Sequence, residues 1–138
     1  MKTTKKITTV LIPVIISVFL LAGNLATAQQ LKPKPWPVPD KDKNIKAPGK
    51  ADLAVGKELW AKHCKSCHGS KGLGDGPKAA SLKTFAGDFS TASFQSATDG
   101  ELFYRTNKGR EEMPAYEKKI PNANDRWALV AYMRTMKK

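Results

Sequence analysis

Apolar positions divide the chain into three stretches of different character. From Ile7 to Leu31 no charged side chain interrupts the sequence, and Val10 to Ala22 is almost wholly apolar. Gln29 to Lys50 then offers only Leu31, Trp36, Val38 and Ile45 as sizeable apolar groups. Beyond residue 51 the pattern turns periodic. Gly56, Trp60 and Cys64 fall at i, i+4 and i+8, with Leu53 one turn earlier on the same stripe and Asp52 as a cap, which predicts a helix delivering Cys64 at its end. Thr98-Asp99-Gly100-Glu101 has the form of a capping box, and Leu102 to Lys108 reads as a helix stopped by Gly109. A last helix starts at Pro121-Asn122 with Asp125 in its first turn. Leu129, Tyr132, Met133 and Met136 make its apolar stripe, and Arg134, Lys137 and Lys138 finish it. Gly69 to Ser93 reads as glycine-rich loop carrying Phe85 and Phe89. No alternating strand pattern appears. The expectation is an all-α fold of three or more helices with long loops.

The first stretch has the three parts of a secretory signal peptide: basic Lys2, Lys5 and Lys6, an apolar core, and small Ala26-Thr27-Ala28 before Gln29. Residues 1–28 are therefore read as a leader and the protein as exported to the periplasm. The alternative is a retained membrane anchor, although the dense apolar run falls short of the ~20 residues a spanning helix needs. Residues 29–50 hold five of the nine prolines and six lysines. They read as a flexible linker or tail, too poor in apolar groups to fold alone. Residues 51–138 form the folded domain.

A chain of 138 residues builds one modest core, which excludes a multi-domain enzyme and a multi-pass membrane protein. Its formal charge of +12 points to nucleic acid, an anionic surface or an acidic partner. Loss of residues 1–28 removes three lysines and no acid, leaving +9. Export takes the protein away from nucleic acid, and its basic residues are not interleaved with stacking aromatics.

Both cysteines lie in His63-Cys64-Lys65-Ser66-Cys67-His68. A redox-active C-x-x-C would want a βαβ setting, which is missing. Zinc would need four ligands around one ion, and four neighbours in six positions cannot close that tetrahedron. C-x-x-C-H is the spacing for covalent haem attachment. Each thiol adds across one vinyl group, and the next side chain, His68, is carried under the iron. His63 sits on the tethered side and reads as a surface histidine. For the distal face, Met133 and Met136 belong to a helical pattern. Met113 lies in a loop pinned by Pro114 and is the candidate sixth ligand.

Residues 56–138 resemble a bacterial single-haem class I cytochrome c. The likeness rests on Gly56-Lys-Glu-Leu-Trp60, Cys64-x2-Cys67-His68, Gly76-Pro77, Met113-Pro114 and Leu129-Val-Ala-Tyr132, in the family's order. It implies a first and last helix crossing at Gly56 and Trp60 against Leu129 and Tyr132, with haem c between long loops. It also implies that the Pro77 carbonyl accepts the His68 ring N–H. With His68 and Met113 on the iron no substrate position stays open, so the expected role is electron carrier rather than enzyme. The partners are then redox proteins, steered to Lys62, Lys65, Lys71, Lys78 and Lys108 if their docking surfaces are acidic. Arg105 and Arg110 are candidates for the haem propionates. Two other roles fit the residues: a haem subunit of a larger dehydrogenase or reductase, and a gas-sensing or peroxidase-like protein without Met113 on the iron.

Overall fold

The computed structural model describes residues 35–138; the predicted leader and residues 29–34 lie outside the described residues. Six α-helices follow one another: α1 (Asp40–Lys43), α2 (Leu53–His63), α3 (Lys65–His68), α4 (Ala92–Gln95), α5 (Asp99–Lys108) and α6 (Ala123–Arg134). Among the described residues there is no strand, and a single bridge joins Arg110 to Met113. The all-α expectation is met.

The first and last of the long helices make the frame. Asp52 caps α2, its carboxylate accepting from Ala54 N at 2.8 Å and Val55 N at 3.3 Å. Those amides have no partner within the helix, so the cap is worth about 1 kcal/mol. Gly56 is where α2 meets α6: a Cβ there would collide with the Ala128 carbonyl and stand 3.0 Å from the Tyr132 Cβ. Hydrogen alone fits between the two backbones. One turn on, Trp60 is buried, its ring centroid 6.1 Å from that of Tyr132. The predicted helix crossing is present.

Two details differ from the sequence pattern. Leu53, at the first position of α2, is 48% exposed. The last helix stops at Arg134, so Met136, Lys137 and Lys138 lie beyond it, and Met136 folds back against the core. Arg134 does more than complement the helix dipole. Its Nε donates to Asp99 at 2.8 Å and its Nη1 to the Gln95 carbonyl at 2.9 Å, tying α6 to the start of α5.

The capping box of α5 is formed. Thr98 Oγ1 accepts from Glu101 N at 3.1 Å, and the Glu101 carboxylate accepts from Thr98 N at 2.7 Å. Behind this helix, Phe103 stacks on Trp127 with ring centroids 4.0 Å apart, joined by Leu102 and Val130 in a second buried cluster. Each such side chain contributes roughly 1.5–3 kcal/mol by leaving water.

Residues 35–43 correct the expectation of a flexible tail. Val38 is buried, α1 packs on α5, and the Lys43 carbonyl accepts from Thr98 Oγ1. Gly100 permits the approach, since a Cβ there would strike the Asp42 and Lys43 backbone. The arm folds because it borrows α5 as its apolar surface, which composition cannot foresee.

Candidate functional site

Between the α2–α3 corner, the loop before α4, α5 and the Met113 loop lies a cavity of 1120 Å³. Its lining includes Cys64, Cys67, His68, His63 and Met113. Small-molecule pockets commonly measure ~300–1000 Å³, so there is room for a large planar group.

Local structure explains how the motif reaches this wall. Cys64 ends α2, its N–H donating to the Trp60 carbonyl at 2.9 Å. The short helix α3 then turns Cys67 and His68 over the same edge, His68 N donating to the Cys64 carbonyl at 3.0 Å. Trp60 Nε1 donates to the Gly69 carbonyl at 3.0 Å, fixing the exit of the motif. Phe89 packs beside His68 with centroids 4.9 Å apart, and Trp60 lies 5.7 Å from the same ring.

Both thiols are free. Burial pushes the Cys64 thiol up to about 12, with the nearby Cys67 adding to the shift. The thiolate is the nucleophile in dithiol exchange, so a Cys64 thiol shifted this far is poorly suited to that chemistry at neutral pH. Among the described residues no group of His, Cys, Asp and Glu could hold a metal ion by itself. Burial also lowers the His68 pKa, the Ala86 main chain offsetting part of that. Its imidazole is thereby kept neutral, the form that binds iron. Nδ1 of His68 is buried without a hydrogen-bond partner. The contact expected from Pro77 is not made: Pro77 is exposed, and its turn is held instead by Lys78 N donating to the Ser66 carbonyl at 2.8 Å.

Met113 sits in a tight turn. Arg110 N donates to the Met113 carbonyl and Met113 N to the Arg110 carbonyl, both at 2.9 Å. Glu111 within it has φ +53°, a left-handed conformation costing a non-glycine residue about 1 kcal/mol. Gly109, at φ +61°, lets the chain leave α5, because a Cβ would collide with the Met113 carbonyl. The neighbouring Glu112 crosses the cavity mouth: one carboxylate oxygen accepts from Lys83 N at 2.8 Å, Thr84 N at 3.1 Å and Thr84 Oγ1 at 3.2 Å. The two loops are thus tied to each other beside Met113.

Arg105 and Arg110 both line the cavity. Arg105 pairs with Glu101 at 3.5 Å, while its Nε is buried without a partner. Burial lowers its pKa, Glu101 opposing this and Arg110 adding to it. His63 also reaches the lining, stacked edge-on to Tyr116, whose hydroxyl donates to the His63 carbonyl at 2.8 Å. The sequence had left it on the surface.

Residues 51–133, more than half of the chain, match the family described as cytochrome C oxidase, cbb3-type, subunit III. The chain belongs to this family. It is a c-type cytochrome, which binds haem c covalently and whose chemistry is one-electron transfer at the haem iron. Among solved structures, the KustC0563 c-type cytochrome is 31% identical with a TM-score of 0.51, over 60% of this chain and 98% of that one. A chain of the Kuenenia stuttgartiensis reducing HAO-like protein complex Kustc0457/Kustc0458 is 25% identical with a TM-score of 0.57. That match covers 78% of this chain and 53% of the other, so this cytochrome spans about half its length. No curated protein matches the chain by sequence.

The residues present fit haem c. Two free thiols, an imidazole and a thioether share one cavity, walled by aromatic rings and edged by arginines. Sequence reasoning missed several wall residues of this cytochrome: Tyr116, Phe94, Met133 and, from the supposed tail, Trp36. Met133 was foreseeable, since it is buried on the α6 stripe. Trp36 carried no signal beyond being apolar in a polar stretch.

Proposed function

We propose that this cytochrome is a single-haem electron carrier exported to the periplasm, with Cys64 and Cys67 as the thioether positions and His68 and Met113 as axial ligands. Residues 1–28 are the leader in this reading and 51–138 the haem domain. The observation that carries it is the convergence of both cysteines, His68 and Met113 on one cavity. The haem supplies the Fe(III)/Fe(II) couple. The chain's own part is to hold the ligands unchanged through the redox cycle: α2 and α3 are braced by Trp60, and the Met113 turn is fixed by Glu112. A thioether opposite histidine raises the reduction potential and leaves no position for substrate. Among the described residues no helix is long and apolar enough to cross a membrane. Lys62, Lys65, Lys71, Lys78 and Lys108 are all exposed, positive charges suited to acidic redox partners, with Lys108 also paired to Glu117 at 2.9 Å.

The test is an optical and redox titration of the holoprotein beside Met113→Ala and Met133→Ala. Low-spin iron is expected in the parent and in Met133→Ala, and high-spin iron at lower potential in Met113→Ala. A Met113→Ala protein with the parent's spin state and potential would refute the distal assignment. High-spin, carbon-monoxide-sensitive iron in the parent would favour a ligand-binding role. A second reading, as the haem subunit of a larger redox enzyme, is favoured by the likeness to a chain of a complex. Co-purification of a dehydrogenase or reductase with the native protein would support it.

A further inference from the structure

We propose that the proline-rich arm supplies a wall of the haem cavity, with Trp36 as a further cofactor-pocket residue clamped in place by Arg110. Pro35 and Trp36 line the same cavity as Met113, from a segment remote from the motif. The Arg110 guanidinium carbon stands 4.5 Å from the Trp36 ring centroid, and its Nη1 donates to the Pro35 carbonyl at 2.7 Å. A planar cation stacked on an indole while holding the adjacent carbonyl orients both ring and backbone. Behind the contact, buried Val38 and the Thr98 bond to Lys43 anchor the arm on α5. Met113 belongs to the same turn as Arg110, so the clamp sits on the candidate distal side. Trp36 there excludes water and small solutes from the edge of the cofactor.

The inference rests on haem occupying this cavity, and it holds whether or not Met113 binds the iron. Its test is trypsin cleavage of the holoprotein at Lys41 and Lys43, together with the rate of oxidation of the ferrous protein by ferricyanide. In the unaltered protein, cuts after Lys46 and Lys50, in the exposed loop, precede cuts after Lys41 and Lys43. Trp36→Ala accelerates the latter cuts and the ferricyanide reaction roughly two- to thirtyfold, the range a cation–π contact supports. Trp36→Phe stays near the parent. Equal cleavage at all four lysines of the parent would overturn the proposal even if Trp36→Ala failed to fold, and so would a Trp36→Ala protein matching the parent in both rates. The spin state, which reports on Met113, remains that of the parent in Trp36→Ala, so failure of the ligation reading is seen separately.

Discussion

The α2–α6 frame and the loops facing it are built on opposite principles. In the frame, contacts are broad and the deciding features are local: a cap at Asp52, a glycine at Gly56, a stripe beginning at fully buried Leu129. In the loops, Phe89, Tyr116 and Ile120 join the core, and the rest of the order comes from single hydrogen bonds between distant residues. Glu112 reaches Lys83 and Thr84, Tyr116 reaches the His63 carbonyl, and Gln95 Nε2 donates to the Met133 carbonyl at 3.1 Å. One wall of the haem cavity therefore comes with a rigid helix end, and the other depends on ties across the fold. Damage to the frame is expected to appear as lost stability, and damage to the loops as a changed iron environment.

Four substitutions sharpen that contrast. Replacing Cys64 and Cys67 together by Ser has the largest effect, because no thioether can form; haem staining after denaturing electrophoresis should vanish. Gly56→Ala drives a methyl group into the Ala128 backbone and should cost about 2 kcal/mol in denaturant unfolding of the holoprotein, with the visible spectrum unchanged. Thr98→Ala removes one half of the α5 capping box and a hold on the arm, for a loss of ~1 kcal/mol by the same measurement. Glu112→Ala is expected to cost less than about 1 kcal/mol, since the carboxylate is exposed. It should nonetheless raise the high-spin fraction of the iron by loosening the Met113 turn. A Glu112→Ala protein that lost stability with an unaltered spectrum would erase the distinction between frame and loops.

The two regions also differed in legibility. The starts of α2, α5 and α6 were readable because a cap and its amide partners lie within one turn, and the Gly109 stop because a positive φ favours glycine. The motif residues were readable because thiol spacing and the adjacent histidine are a local requirement of the cofactor. Leu53 was misplaced because periodicity says which face a residue occupies and not whether a neighbour covers it. The Pro77 contact came from family likeness and is not formed, the turn being held by the Lys78 backbone instead. The docked arm could not be read from a segment whose apolar surface is completed by Gly100 and α5.

Sequence alone determined the helical frame and the covalent cofactor motif, because each depends on residues within a few positions of one another. Tertiary structure decided which side chains close the cavity around that motif. It placed Trp36 on Arg110, Glu112 across the mouth and Arg105 along the lining. These contacts join residues tens of positions apart, and their geometry exists only once the α2–α6 crossing has fixed where each loop must return.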